Sequence, residues 1–219
     1  MAEEIRRDPL LELIEFEVGD PVPEESINAA EVRFGTPLPA PLRRFYRSLG
    51  SVSLYWCFKS SLDERTLQLI SEWDPYMIPA PGVFDGAVRI VPLEDLLFSE
   101  EFTMEQLEWQ EGESEPEFDF NGTVYTNSDF GRMVRHFDAI NLYYAMSFIV
   151  QPDHADWKMM LLGDHWIEYD NSRVTYLEDY LRYVIAARGL VSARVELFSE
   201  YRGDLHEPLR YDNAVVAGT

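Results

Sequence analysis

Apolar residues recur at helical spacing through the first quarter of the chain. Pro21-Val22-Pro23 leads into Glu24-Glu25, and Ile27, Ala30, Val32 and Phe34 then form a stripe that stops at Gly35. Prolines at the entry, carboxylates in the first turn and glycine at the exit predict a helix between them. Thr36-Pro37-Leu38-Pro39-Ala40-Pro41 forces a rigid turn, and Leu42, Phe45, Tyr46 and Leu49 mark a second helix ending at Gly50. The β-branched and aromatic run from Ser51 to Phe58 predicts a strand, and Leu62 to Trp73 predicts a helix. After a proline-rich loop, Ala87 to Val91 alternates as a strand and Pro92 to Leu97 opens another helix.

The pattern then changes period. Short β-like runs at 122–125, 137–144, 146–150, 157–162 and 165–169 are separated by Pro152-Asp153, Gly163-Asp164 and Asp170-Asn171, which favour turns. An antiparallel meander is the simplest arrangement of such runs. Thr175 with Glu178 three positions on reads as a capping box, ahead of an apolar face made by Tyr176, Leu177, Tyr180, Leu181, Val184 and Ile185. Val191 to Phe198 is expected as a peripheral strand, with 203–219 loosely held. The expected fold is therefore α+β: a single domain with a mixed, largely antiparallel sheet flanked by helices.

Charge narrows the function. Forty acidic against 18 basic residues give a formal net charge of -22. Counterion release from phosphate needs a cationic surface, so nucleic acid is excluded as a partner, and an anionic membrane surface for the same reason. A basic protein is the natural complement. The acidity also has a focus, because no Lys, Arg or His occurs from Glu94 to Asp119. Within it Glu108, Trp109, Glu111, Glu113, Glu115, Glu117 and Asp119 are the candidate partner-binding residues, with Phe118, Phe120 and Tyr125 able to add contact area. The other reading of this stretch is a solvated loop whose charge limits aggregation.

Candidate chemistry is sparse. The single cysteine, Cys57, sits in the apolar run Ser53 to Phe58, so it reads as a small buried hydrophobe and permits no internal disulfide. That fits a reducing compartment, and Met1-Ala2-Glu3-Glu4 lacks the basic, apolar opening of a signal peptide, so a cytoplasmic location is expected. His136 with Asp138, His154 with Asp156, and His165 with Glu168 each bring imidazole near carboxylate, but none has metal-ligand or acid–base spacing. No nucleophile elbow or phosphate-cradling loop is present. The expectation is no catalytic residue, no metal and no cofactor.

Ile27, Glu31, Gly35, Leu38-Pro39, Phe45 and Gly50, followed by Val91-Pro92-Leu93-Glu94-Asp95-Leu96 and by the helix from Thr175 to Ile185, resemble the SMI1/KNR4 (SUKH) superfamily. The resemblance runs over about residues 22–188. It sets 1–21 apart as a leader, about 99–119 as an acidic insertion and 189–219 as a C-terminal extension. It implies a non-enzymatic protein-binding module, in bacteria an immunity protein neutralising a cognate toxin, frequently a nuclease. The alternatives are an acidic DNA-mimic inhibitor or an intracellular regulatory scaffold.

Overall fold

The computed structural model describes residues 1–74, 77–99, 102, 117–120, 123–141, 143–152, 154–163 and 174–199. Residues 1–21, expected as a leader, hold a short helix α1 (Ala2–Arg7) and a strand β1 (Leu11–Val18). The physical cause is visible in the sequence: Leu11 and Leu13 alternate with Glu12, and Ile5, Leu11 and Leu13 pack into the main core. Helix α2 (Glu24–Phe34) follows with Pro23 as its N-cap, and ends at Gly35, whose φ of 80° is the left-handed conformation that glycine adopts without strain. Ile27 and Ala30 are buried as expected, but Val32 is 84 % exposed and lies off the stripe. Helix α3 (Ala40–Ser48) starts at Pro39 and buries Leu42 and Tyr46, one turn apart.

Between these helices Glu31 does local structural work. Its carboxylate accepts the Leu38 backbone N–H at 2.9 Å and pairs with Arg43 at 2.5 Å, so the Gly35–Leu38 turn is closed by a side chain of the preceding helix. Tyr46 donates its hydroxyl to the Val91 carbonyl at 2.8 Å and ties α3 to the sheet.

The sheet is built on β2 (Val52–Phe58), followed by helix α4 (Glu64–Glu72), strand β3 (Gly86–Ile90) and helix α5 (Leu93–Phe98). Next come a hairpin, β4 (Glu117–Phe120) and β5 (Thr123–Thr126), helix α6 (Asn127–Met133), and strands β6 (Val134–Asn141), β7 (Tyr144–Ile149), β8 (Lys158–Gly163) and β9 (Val174–Thr175). Helices α7 (Leu177–Ala186) and α8 (Val191–Ser199) complete the described chain. Seven strands form one sheet in the order β1-β2-β3-β6-β7-β8-β9, with β4-β5 as a separate pair, and every described pairing is antiparallel. The fold is α+β with helices flanking a largely antiparallel sheet; β6-β7-β8 run as a meander, whereas the run at 122–125, expected within it, forms the separate β4-β5 pair.

Side-chain alternation gives the sheet two unlike faces. Leu54 and Trp56 of β2, with Met159 and Leu161 of β8, face the main core under α2, α3, α5, α7 and α8. On the other face Tyr55, Cys57 and Ala87 pack beneath α4, while Ile149, Met160 and Leu162 pack beneath α6 and the hairpin.

Two expectations are corrected, and one helix is additional to those expected. Val191 to Phe198 is helix α8 rather than a strand, because Arg194 and Phe198, four residues apart, bury on one side of it. Thr175 belongs to β9, so no capping box forms, and Tyr176 is the N-cap without a side-chain bond. Helix α6 was not foreseen, although the Thr126 hydroxyl accepting Asp129 N–H at 3.1 Å is a cap readable in Thr126-Asn127-Ser128-Asp129. The strand expected at 165–169 lies outside the described residues.

The sheet is nearly split between β3 and β6, which share a single register pair, Ile90 with Asp138. The N-terminal half of β3 instead bonds to the α7–α8 junction, with Ala87 N–H donating to Gly189 O at 3.0 Å and Val191 N–H to Asp85 O at 2.9 Å. Asp138 fills the split. Its carboxylate accepts Arg89 N–H at 2.8 Å, the Tyr180 hydroxyl at 2.5 Å and Arg194 Nη1 at 2.6 Å, and Asp138, Tyr180 and Arg194 are all fully buried. Arg194 also donates to the Ala87 carbonyl and, at 3.1 Å, to the Gly189 carbonyl. Burial and the neighbouring carboxylate hold the Tyr180 phenol well above its ordinary range, so it stays a donor.

Removing one member leaves the other charge buried and unpaired. Asp138→Ala or Arg194→Ala should therefore lower unfolding free energy by about 3–5 kcal/mol, and Asp138→Ala combined with Arg194→Met should recover part of it. Urea unfolding of the single and double variants checks this.

Candidate partner-binding surface

The acidic stretch is held at both ends by buried aromatic residues. On its N-terminal side α5 buries Leu93, Leu96 and Leu97, and Phe102 joins the main core. On its C-terminal side Phe120 packs edge-on against Phe130 at 5.5 Å, with Tyr125 6.4 Å from the same ring. Those contacts belong to the cluster on the opposite face of the sheet. The two anchors thus lie on different faces. Phe120 and Tyr125 were expected as possible contact residues, but Phe120 is buried and Tyr125 is packed on this cluster, so their apolar area is already used.

Of the candidate binding residues, Glu117 is exposed at the start of β4, opposite Thr126, and Asp119 lies two positions further along, opposite Val124. Glu108, Trp109, Glu111, Glu113 and Glu115 lie outside the described residues. The exposed end of the hairpin also carries Val124, which is 60 % exposed.

Electrostatics on the described surface are one-sided. Arg6 pairs with Glu3, Arg33 with Glu94, Arg43 with Glu24 and Glu31, Arg44 with Glu178, Arg47 with Glu24, Arg132 with Asp129, and Arg188 with Asp8. Most of these pairs are solvent-exposed and individually weak, yet together they leave no broad cationic patch among the described residues. Glu17, Asp20, Glu25 and Glu64 are exposed and have no salt bridge among the described residues. In a chain of net charge -22 the excess therefore faces solvent.

The groups that might have carried chemistry are placed otherwise. A bulge separates His136 from Asp138, so they do not act together: His136 Nδ1 lies 2.6 Å from Ser147 Oγ on the face away from the main core, while Asp138 points into it. Burial, with Arg135 adding to it, pushes the His136 imidazole down to about 4, so it is neutral at neutral pH. His154 and Asp156 are exposed on a turn, and His165 and Glu168 lie outside the described residues. Burial raises the Cys57 thiol to about 11, and it donates to the Val83 carbonyl at 3.5 Å, which makes it an inert core residue. No group of three or more His, Cys, Asp or Glu among the described residues is arranged to hold a metal ion. Likewise no helix among them is long and apolar enough to cross a membrane.

Two clefts remain. One of about 330 Å³ lies between the end of β1, the residues leading into β2, α2 and the start of α5, with Asp20 and Glu94 on its rim. The other, about 190 Å³, lies between the starts of α3 and α7, walled by Trp157 and Leu42 and rimmed by Asp156 and Glu178. Both openings carry carboxylates and neither carries a histidine or cysteine. Sequence reasoning missed the partners of Asp138, since Tyr180 read as part of an apolar face and Arg194 as one charge in an expected strand.

Two measurements test these placements. Between pH 6.5 and about 4 the unfolded chain takes up a proton at His136 that the folded chain does not, so stability should fall as pH drops through that window. His136→Gln should flatten the slope of unfolding free energy against pH there. Separately, Cys57 should react slowly with a thiol reagent at pH 8 in the native protein and at the free-thiol rate once denatured. In comparison with known proteins, no protein-family model matches the sequence, and the searches of curated proteins and of solved structures find no significant match.

Proposed function

We propose that this protein is a non-enzymatic, cytoplasmic protein-binding module, acting as an immunity protein that neutralises a cognate basic toxin. The observation that carries the reading is the exposed carboxylate excess on a surface where most described arginines, with Arg7, Arg65 and Arg182 the exposed exceptions, are committed to ion pairs. A cationic partner gains from such a field in association rate before any contact forms. The resemblance to the SUKH superfamily supports the same reading, and its matching positions have physical roles: Gly35 ends α2 in the left-handed conformation, and Glu31 closes the turn onto Leu38. A Cβ at Gly50 would meet the Asp20 carbonyl oxygen at 2.1 Å, which explains glycine there. The inert Cys57 and the neutral, packed His136 fit a binding role.

DNA mimicry asks for carboxylates in phosphate-like rows on one exposed face. Here they occur on α1, β1, α2, α4 and α7, over both faces of the sheet, which counts against it.

Co-expression with the product of the neighbouring gene is the direct test. Cells should survive that product only when this protein is present, and unchanged killing would reject the reading. In a complex so obtained, Glu-to-Gln replacement at Glu108, Glu111, Glu113, Glu115 and Glu117 should slow association about tenfold or more at low ionic strength. The difference should shrink as salt is raised, read by stopped-flow mixing.

A further inference from the structure

Strand β1 is the end of the seven-stranded sheet and, among the described strands, pairs only with β2. In an antiparallel ladder alternate residues turn their backbone groups toward the partner. Gly19 N–H donates to Ser51 O at 3.0 Å, so residues 19, 17 and 15 face β2 and residues 16 and 18 face away. At the other end Lys59 N–H donates to Leu10 O at 2.9 Å, so residues 10 and 12 face β2 and residue 13 faces away, with the parity change absorbed by the bulge between Leu13 and Glu15. The outward backbone groups of Leu13, Phe16 and Val18 thus form an open edge: the Leu11 N–H turns back to the Asp8 carbonyl at 3.2 Å, and among the described residues the backbone groups of Leu13, Phe16 and Val18 have no partner outside the β1–β2 ladder.

The side chains along this edge are sorted. Leu13, Phe16 and Val18 stand opposite Trp56, Leu54 and Val52 on the main-core face, where Phe16 is 42 % and Val18 41 % exposed. Glu12, Glu15 and Glu17 stand opposite Cys57, Tyr55 and Ser53 on the other face. An edge that is apolar on one face and acidic on the other selects its occupant. A second copy of this chain would set its own glutamates beside these three, and like charges on adjacent strands are destabilising. A strand with Lys or Arg on the glutamate face and aliphatic residues on the other meets both requirements.

We propose that the outer edge of β1 is a docking site for an amphipathic basic β-strand of a partner protein, which extends the sheet by one strand. This rests on the reading of the protein as a binder of a basic protein. It adds the place and mode of contact: backbone bonds to Leu13, Phe16 and Val18, and cations against Glu12, Glu15 and Glu17.

The test uses the full chain and a capped octapeptide of alternating valine and lysine, with a valine–glutamate peptide as control. NMR-detected hydrogen exchange should show the amides of Leu13, Phe16 and Val18 slowing tenfold or more with the lysine peptide and not with the glutamate peptide. Phe16→Pro removes an outward N–H without touching the β1–β2 ladder and should abolish that protection. If Phe16→Pro does not fold, the triple variant Glu12→Lys, Glu15→Lys, Glu17→Lys should reverse the preference to the glutamate peptide. Absence of protection with either peptide, equal protection with both, or amides already protected in a self-associated form would overturn the proposal. If the edge takes the lysine peptide but the protein protects no cell, only the immunity reading fails. If cells are protected equally well by Phe16→Pro, the edge proposal fails alone.

Discussion

The buried contact of Asp138 with Arg194 and Tyr180 holds together parts of the sheet that barely pair on their own. Between β3 and β6 the ladder has one register pair, and the first half of β3 turns to the α7–α8 junction for its remaining bonds. A carboxylate from β6 caps the Arg89 amide across the gap, and a guanidinium from α8 reaches back to the Ala87 and Gly189 carbonyls. Strands, closing helix and last helix are therefore joined through one desolvated cluster. Such a cluster contributes little net stability against an apolar substitute, but loss of one member leaves an uncompensated buried charge.

Around that cluster two close approaches set the geometry. The Trp56 indole crosses the position of Gly86, where a Cβ would lie 1.9 Å from Nε1, and donates to the Arg188 carbonyl at 2.7 Å. Gly189, at φ 72°, comes so near Val88 that a Cβ would meet its methyl at 2.6 Å. The turn after α7 is thus pressed onto β3, which aims Arg194 at Asp138. Packing on the main-core face is continuous, whereas the other face divides into two apolar clusters. The hairpin that follows the acidic stretch is seated on one of them.

Charge acts on a different scale from packing. The ion pairs on the surface are mostly exposed and weak individually. Their collective effect is to occupy most of the described arginines, so that the excess of carboxylates defines the field seen by an approaching molecule. The glutamates of β1 fit this view, because they discourage pairing with another acidic edge and favour a basic one. The proposed binding of a basic protein would draw on two features of one molecule: a long-range field and the outer edge of β1.

Much of the fold was legible in the chain itself. Pro23, Gly35, Pro39 and the apolar positions between them specify α2 and α3 because caps and helical spacing are local properties. The runs of β2, β3, β7 and β8 were likewise readable from alternation and β-branched content. The net charge, its concentration from Glu94 to Asp119, and the burial of Cys57 in a strand followed from sequence as well. Tertiary contact decided the rest. Val191 to Phe198 became a helix because Arg194 and Phe198 must reach the same buried side, and Phe120 became core because Phe130 lay waiting beneath it. The separation of His136 from Asp138 depends on a bulge, and the partnership of Asp138 with residues 42 and 56 positions away depends on how the chain returns to β3. Neither leaves a local signal, since spacing within a segment records which side a residue faces and not what will be waiting there.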